Sequence, residues 1–324
     1  MKKIAVLTSG GDSPGMNACI RAIVRTAQYH NLAAVGIRRG YQGLIENDII
    51  ELDARMVGGI ISKGGTVLGT ARSKDFMTVE GRKKAYENLK KHGIDAIVAC
   101  GGDGTFTGAN VFMKEYIDIA IVGTPGTIDN DLYGTDYTIG YDTALNTAME
   151  AIDKIRDTAD AHNRLFFVEV MGRDAGFIAL RSGIATGAEA ILVPEIRTVK
   201  EELIEDLKKS YELKNGSCIV VMAEGDDAGH AYQLVEMVRG KIPYEDIRVV
   251  VLGHIQRGGS PSCFDRVLAS RLGIAAVEAL VKGKKGIMLG QNGLKITEVP
   301  FEKAIKHHQE LSPYLVAMME VLTV

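Results

Sequence analysis

Apolar and polar positions along the chain fall into two alternating patterns. Short runs rich in Ile, Val, Leu and Ala, at Lys3 to Leu7, Ile94 to Cys100, Ile117 to Val122, Leu165 to Val170, Cys218 to Ala223 and Val249 to Leu252, read as β-strands. Near-continuous apolar runs of this length suit strands that are covered on both faces. Between them lie longer stretches with helical spacing. Glu80 to His92 is a charged amphipathic helix stopped by Gly93, and Glu201 to Leu213 is another that ends near Asn215-Gly216. Strands alternating with helices predict an α/β fold whose parallel sheets carry helices on both faces. No fixed-period repeat, low-complexity segment or Pro/Ser-rich linker interrupts the pattern. A length of 324 residues suits about two domains.

Composition sharpens this picture. The chain holds 37 glycines, against about 23 at average usage, and only 7 prolines. With 46% hydrophobic residues it can build a large core, so the surplus glycine belongs in ordered loops. Its 38 Lys+Arg and 41 Asp+Glu leave a net charge of −3, which offers no basic field to a nucleic-acid backbone or an anionic membrane. After Met1-Lys2-Lys3 the apolar stretch is far shorter than a secretory leader, and nothing approaches the roughly 18 apolar residues of a membrane span. A cytoplasmic protein is expected, with neither a nucleic-acid nor a membrane partner. Cys19, Cys100, Cys218 and Cys263 are widely spaced, with no metal-ligand pattern, and are expected to pack in the core.

Candidate chemistry begins with an echo. Ile4 to Asp12 and Ala96 to Asp103 each run an apolar strand into Gly-Gly-Asp ahead of a helix. Glycine lets the backbone approach a phosphate closely, and a helix N-terminus beside the strand ends supplies N–H groups and partial positive charge. The usual P-loop lysine is absent after Gly10 to Gly15, and Gly102 to Gly108 is one residue too long for the dinucleotide fingerprint. Asp103, set among amides that would hold phosphate, calls for a bridging cation such as Mg²⁺. Asp129 and Asp131, two apart in the polar loop Thr124 to Asp131, can divide proton acceptance and orientation between them. Arg164, Met171-Gly172-Arg173, Arg248 and His254 to Gly259 place arginines at strand ends, suited to capturing an anionic substrate.

Taken together, TSGGDSPGMNA (Thr8 to Ala18), GGDGT (Gly101 to Thr105), PGTIDND (Pro125 to Asp131), MGR (Met171 to Arg173) and GHIQRGGSP (Gly253 to Pro261) resemble the bacterial ATP-dependent 6-phosphofructokinases along essentially the whole chain. GGDGT also occurs in NAD and lipid kinases, whereas PGTIDND with GHIQRGG is specific. The resemblance implies two Rossmann-like three-layer domains with mostly parallel sheets and an active site in the interdomain cleft. The large ATP-binding domain would take 1–140 plus 256–306, and the small sugar-phosphate-binding domain 141–255 plus 307–324. It implies phosphoryl transfer from MgATP to the 1-hydroxyl of fructose 6-phosphate in glycolysis.

By the same resemblance, Asp129 would be the general base and Asp103 would bind Mg²⁺. Gly11, Arg72, Ser73 and Gly102, Asp103, Gly104 and Thr105 would hold ATP, with Gly11 and Arg72 also facing the transferred group. Thr127, Asp131 and Arg173 would support the reacting centre. The sugar phosphate would meet Thr127, Ile128, Asp129, Met171, Gly172, Arg173, Glu224, His254, Ile255, Gln256 and Arg257, while Arg164 and Arg248 would reach in from a neighbouring subunit of a homotetramer. Gly104 and Gly126 stand where pyrophosphate-dependent relatives carry an acidic residue and a lysine, which implies an ATP user. A kinase of another sugar phosphate, such as tagatose 6-phosphate, and a non-catalytic sugar-phosphate sensor are the alternatives.

The chain departs from the family pattern in places. An effector site for ADP or phosphoenolpyruvate is matched at Arg21, Arg25, Arg156, Gly187, Ala188 and Glu189. Ala54 to Gly59 and Leu213 to Ser217 have fewer cations than relatives do, so weak or altered effector control is expected. Phe177 replaces an acidic residue at the start of a helix, where a carboxylate would suit the dipole. His307-His308 is read as a solvent-exposed pair on a late helix rather than as a metal site.

Overall fold

A computed structural model describes residues 1–213, 217–305 and 308–323. Asn215-Gly216, the middle of Leu213 to Ser217, His307 and the expected domain boundary between 306 and 307 lie outside the described residues. In chain order the elements are β1 (Lys3–Thr8), α1 (Met16–Tyr29), β2 (Ala33–Ile37), α2 (Gly40–Ile45), β3 (Ile49–Leu52), α3 (Val79–Lys91), β4 (Ala96–Gly101), α4 (Asp103–Glu115), β5 (Ala120–Pro125), α5 (Tyr141–His162) and β6 (Leu165–Val170). There follow α6 (Phe177–Thr186), β7 (Ala190–Leu192), α7 (Lys200–Leu213), β8 (Cys218–Ala223), α8 (Ala231–Val238), β9 (Ile247–Val251), α9 (Cys263–Val281), β10 (Ile287–Asn292), β11 (Lys295–Pro300), α10 (Phe301–Ala304) and α11 (Pro313–Leu322).

These elements form two compact units. The first comprises 1–128, 132–143 and 257–309, and the second 129–131, 144–256 and the segment from 310 on. The division falls inside α5, between Thr143 and Ala144.

In the first unit a seven-stranded sheet runs β11-β10-β5-β4-β1-β2-β3. It is parallel from β10 to β2, with β3 and β11 antiparallel at its edges. The period of two along β1 decides the layers. Ile4 and Val6 enter a core with Ile20, Ile23 and Val24 of α1 and Leu268 and Leu272 of α9. Ala5 and Leu7 enter the opposite core with Ala85 and Leu89 of α3 and Phe106 and Phe112 of α4. The unit is thus a three-layer sandwich.

The second unit holds a four-stranded parallel sheet, β7-β8-β6-β9. Leu165, Phe167, Val220 and Met222 meet Leu203 and Leu207 of α7 and Leu234, Val235 and Val238 of α8 on one face. β6 and β8 are buried at every position, as their unbroken apolar sequence requires.

Several expectations need correcting. The strand placed at Ile117 to Val122 begins at Ala120, because Ile117 is exposed and Ile119 closes a turn onto Tyr116 O (3.2 Å). Ile94 belongs to the helix stop, its N–H bonding Leu89 O (2.9 Å), so β4 starts at Ala96. β9 begins at Ile247 and passes through Arg248, a charge that a half-exposed edge strand accommodates. β2, β3, β7, β10 and β11 were not anticipated: they are short, or carry glycine and polar residues, and neighbours rather than local pattern define them. Cys263 is exposed at the first turn of α9 rather than packed in a core. His308 is exposed as expected but not helical; it forms an isolated bridge with Leu132 beyond the end of α10.

Candidate active site

Because β5, β4 and β1 are adjacent and parallel, the loops at their carboxyl ends lie side by side in the first unit. After β1 the chain passes Gly10 and Gly11 into α1. A Cβ on Gly11 would sit 2.6 Å from Nη1 of Arg257, so the residue is glycine because a guanidinium occupies that space. Arg257 Nη1 donates to Asp12 O at 3.2 Å. After β4, Gly102 caps α4 and Asp103 stands in its first turn. A Cβ on Gly104 would meet nothing, leaving that side of the loop open. Thr105 is buried and ties the loop to β1 through a hydrogen bond from Oγ1 to Ser9 O (3.2 Å), while its own carbonyl accepts from Tyr41 Oη (2.7 Å).

After β5, Gly126 N–H donates to Gly101 O at 3.0 Å. A Cβ there would press on Cys100 Sγ (2.8 Å) and Met16 Cε (2.9 Å), so packing alone demands glycine. Thr127 faces Gly102, and its carbonyl accepts from Thr138 Oγ1 at 2.6 Å. Arg72 is exposed and makes no ion pair among the described residues. The Ser73 hydroxyl donates to Gln42 (2.6 Å) and accepts from Phe76 N–H (3.1 Å), a structural use that the sequence did not reveal.

In the second unit the loops after β6, β8 and β9 carry Met171 to Arg173, Glu224 and His254 to Gln256, again from adjacent strands. Asp129 is only 2% exposed, and Arg173 Nε approaches its Oδ2 at 3.4 Å. Arg173 is left-handed, with φ of 53°, a conformation that costs an ordinary residue about 1 kcal/mol or more. Glu224, at the end of β8, holds it there, Oε1 accepting from Arg173 N–H (2.9 Å) and Gly172 N–H (3.4 Å). Sequence reasoning placed Glu224 on substrate; its backbone role becomes visible only once β6 and β8 are neighbours. Met171 and Gln256 are buried, while His254 and Ile255 are exposed on the turn Gly253–Arg257. Ile128 is buried in the first unit. Asp131 belongs with Asp129 in the second.

Arg164 and Arg248 both pair with Asp246, at 2.6 and 2.7 Å. Burial raises the Asp246 pKa, but the two guanidiniums outweigh it and hold the carboxyl below the usual range. Of the residues matched to an effector site, Arg21 and Arg25 lie on α1 in the first unit. Arg156 and Glu189 pair at 3.1 Å in the second, and Arg156 also donates to Gly187 O (2.8 Å). Ala188 is buried beside them in sequence.

The Phe177 exchange finds a physical account here. Gly176 N–H, at the start of α6, donates to Glu195 at 2.9 and 3.1 Å. The acidic group at this terminus therefore comes from the loop after β7, and Phe177 is buried.

Asp103 fits a cation that arrives with phosphate. It is a hard oxygen donor at an open, amide-rich helix start, and no group of three or more His, Cys, Asp or Glu suited to a metal exists among the described residues. That is the donor set of a metal held largely by its phosphate ligands and water.

Comparison with known proteins gives the family of the chain. The family model described as phosphofructokinase matches residues 3–280. The chain is 52% identical to ATP-dependent 6-phosphofructokinase 2 of Bacteroides thetaiotaomicron, over 100% of this chain and 99% of that one. It is 54% identical to ATP-dependent 6-phosphofructokinase of Cytophaga hutchinsonii, over 99% and 98%. A solved phosphofructokinase from Saccharomyces cerevisiae matches 94% of this chain with a TM-score of 0.89 and 38% identity; the chain spans 45% of that longer one. A family model matching most of the chain, and relatives more than half identical along nearly all of it, show that the chain belongs to the phosphofructokinase family.

Proposed function

We propose that the chain transfers the γ-phosphoryl group of ATP to the 1-hydroxyl of fructose 6-phosphate, giving fructose 1,6-bisphosphate and ADP. One observation carries the reading: a buried carboxylate, Asp129, held beside a guanidinium at 3.4 Å on the loop that also bears Thr127. The hydroxyl proton passes to Asp129 as the sugar oxygen forms its bond to the γ-phosphorus, and the bond from that phosphorus to the β-bridging oxygen breaks. Phosphoryl transfer asks little covalent help of a protein, so placing donor and acceptor and spreading cationic charge around the equatorial oxygens does most of the work.

Arg173, fixed by Glu224, Arg72 and the Gly11 N–H would meet those oxygens. The first unit's loops would hold the nucleotide. Met171, His254 and Arg257 would hold the sugar phosphate. Asp103 would hold Mg²⁺, which when bound neutralises phosphate charge and orients the donor. The open space at Gly104 favours ATP as donor. Arg164 and Arg248 would serve a neighbouring subunit of a homotetramer, and would then have to share themselves with Asp246. No helix among the described residues is long and apolar enough to cross a membrane. A coupled assay tests the reading: turnover is expected with MgATP and fructose 6-phosphate, and little with pyrophosphate as donor. Preference for tagatose 6-phosphate, or binding without turnover, would count against it.

A further inference from the structure

Between β3 and Asp75 the chain runs residues 53–74 without helix or strand. Irregular stretches of this length inside a compact domain are either functional or disordered, and this one is pinned. Val57, Ile60 and Leu68 are buried in the core beneath it. Above them, polar side chains grip its backbone. Asn17, on the first turn of α1 and 1% exposed, donates from Nδ2 to Lys63 O (3.0 Å) and Gly64 O (3.1 Å) and accepts from Val67 N–H (2.7 Å). Thr8 and Thr66 join hydroxyls at 2.9 Å. Finally, Thr70 Oγ1 donates to Gly10 O at 2.6 Å.

The last bond has a geometric consequence. The Gly10 carbonyl and the Gly11 N–H belong to one planar trans peptide and point in opposite directions. Flanked by two glycines, with Gly10 at φ of 86°, this peptide has little of its own to stop it rotating. A hydroxyl fixed on the carbonyl therefore aims the N–H. We propose that Thr70 is a positioning residue for phosphoryl transfer, orienting the Gly11 N–H through the Gly10 carbonyl, and that Asn17 holds the segment bearing Thr70 and Arg72 in the register this requires. The inference rests on the proposed phosphoryl transfer for its kinetic consequence, but the latch itself does not.

Thr70→Val keeps the shape and removes the hydroxyl, whereas Thr70→Ser keeps the hydroxyl. Misaiming one donor to the transferred group costs about 10- to 100-fold. The valine variant is expected to lose that much kcat, with the KM for fructose 6-phosphate within twofold and an unchanged melting temperature, and the serine variant to recover most of it. A valine variant with kcat within twofold of wild type, or a serine variant as slow as the valine one, overturns the proposal. Amide hydrogen exchange tests the latch independently of activity. In Asn17→Ala, Val67 and its neighbours should exchange at least tenfold faster than in wild type, and unchanged protection would overturn the role given to Asn17. Wild-type enzyme that fails to phosphorylate fructose 6-phosphate while Asn17→Ala still deprotects Val67 would refute the functional reading and leave the latch standing.

Discussion

At the scale of single residues, glycines that look alike in sequence separate by what surrounds them. Gly104 opens onto empty space in the first turn of a helix, whereas Gly126 is walled by Cys100 and Met16 and Gly11 by Arg257. Gly104→Ala is therefore expected to hold or raise stability, by up to about 1 kcal/mol, while raising the KM for MgATP. Gly126→Ala should instead cost about 1–3 kcal/mol through overpacking; thermal unfolding of both variants checks the contrast. Gly11→Ala meets the far end of the Arg257 side chain rather than backbone, so its melting temperature should fall less than that of Gly126→Ala while the KM for fructose 6-phosphate rises as Arg257 is displaced. Much of this site was legible because glycine loops and carboxylates sit next to strand ends in the sequence. The donor role given to Gly126 was only half legible, since its packing partners Met16 and Cys100 lie far away in sequence.

At the scale of elements, strands covered on both faces declared themselves. Leu165 to Val170 and Cys218 to Ala223 match the structure to the residue. The edge strands β3 and β11 did not, because they owe their form to the partner beside them and carry polar residues. Asp265 was equally silent in the sequence. Fully buried on α9, it accepts from Gly140 N–H (2.8 Å) and from Thr143 N–H (2.8 Å) and Oγ1 (2.6 Å), so that a carboxylate from one helix satisfies the first turn of another, α5. Asp265→Ala should cost about 3 kcal/mol by stranding those donors.

Burial, only partly offset by these hydrogen bonds, pushes the Asp265 pKa up to about 6. A carboxyl with a raised pKa in the folded state favours folding when protonated. Its contribution is fully present below about pH 4, the unfolded value, and is lost as pH rises through about 6. Urea unfolding should therefore show wild type losing stability relative to Asp265→Asn between about pH 4 and 6. A pH-independent difference would contradict this.

At the scale of the whole molecule, the loops proposed to hold the nucleotide follow strands of the seven-stranded sheet, while Met171, Gly172, Arg173 and Glu224, proposed for the sugar phosphate, follow strands of the four-stranded one. Regulation is expected to be weak. Ala54 to Gly59 offers one cation, Arg55, and Arg156 is already engaged by buried Glu189. Phosphoenolpyruvate titrated against activity should inhibit feebly, and strong sigmoidal inhibition at sub-millimolar levels would contradict that expectation. The central claim is that Asp129 accepts the proton from the attacking hydroxyl. Single-turnover rapid quench of wild type and Asp129→Asn, with substrate binding followed by calorimetry, addresses it directly. Wild type should form fructose 1,6-bisphosphate, and the variant should bind both substrates yet react about 10²- to 10⁴-fold more slowly; a variant reacting at close to the wild-type rate would contradict the account.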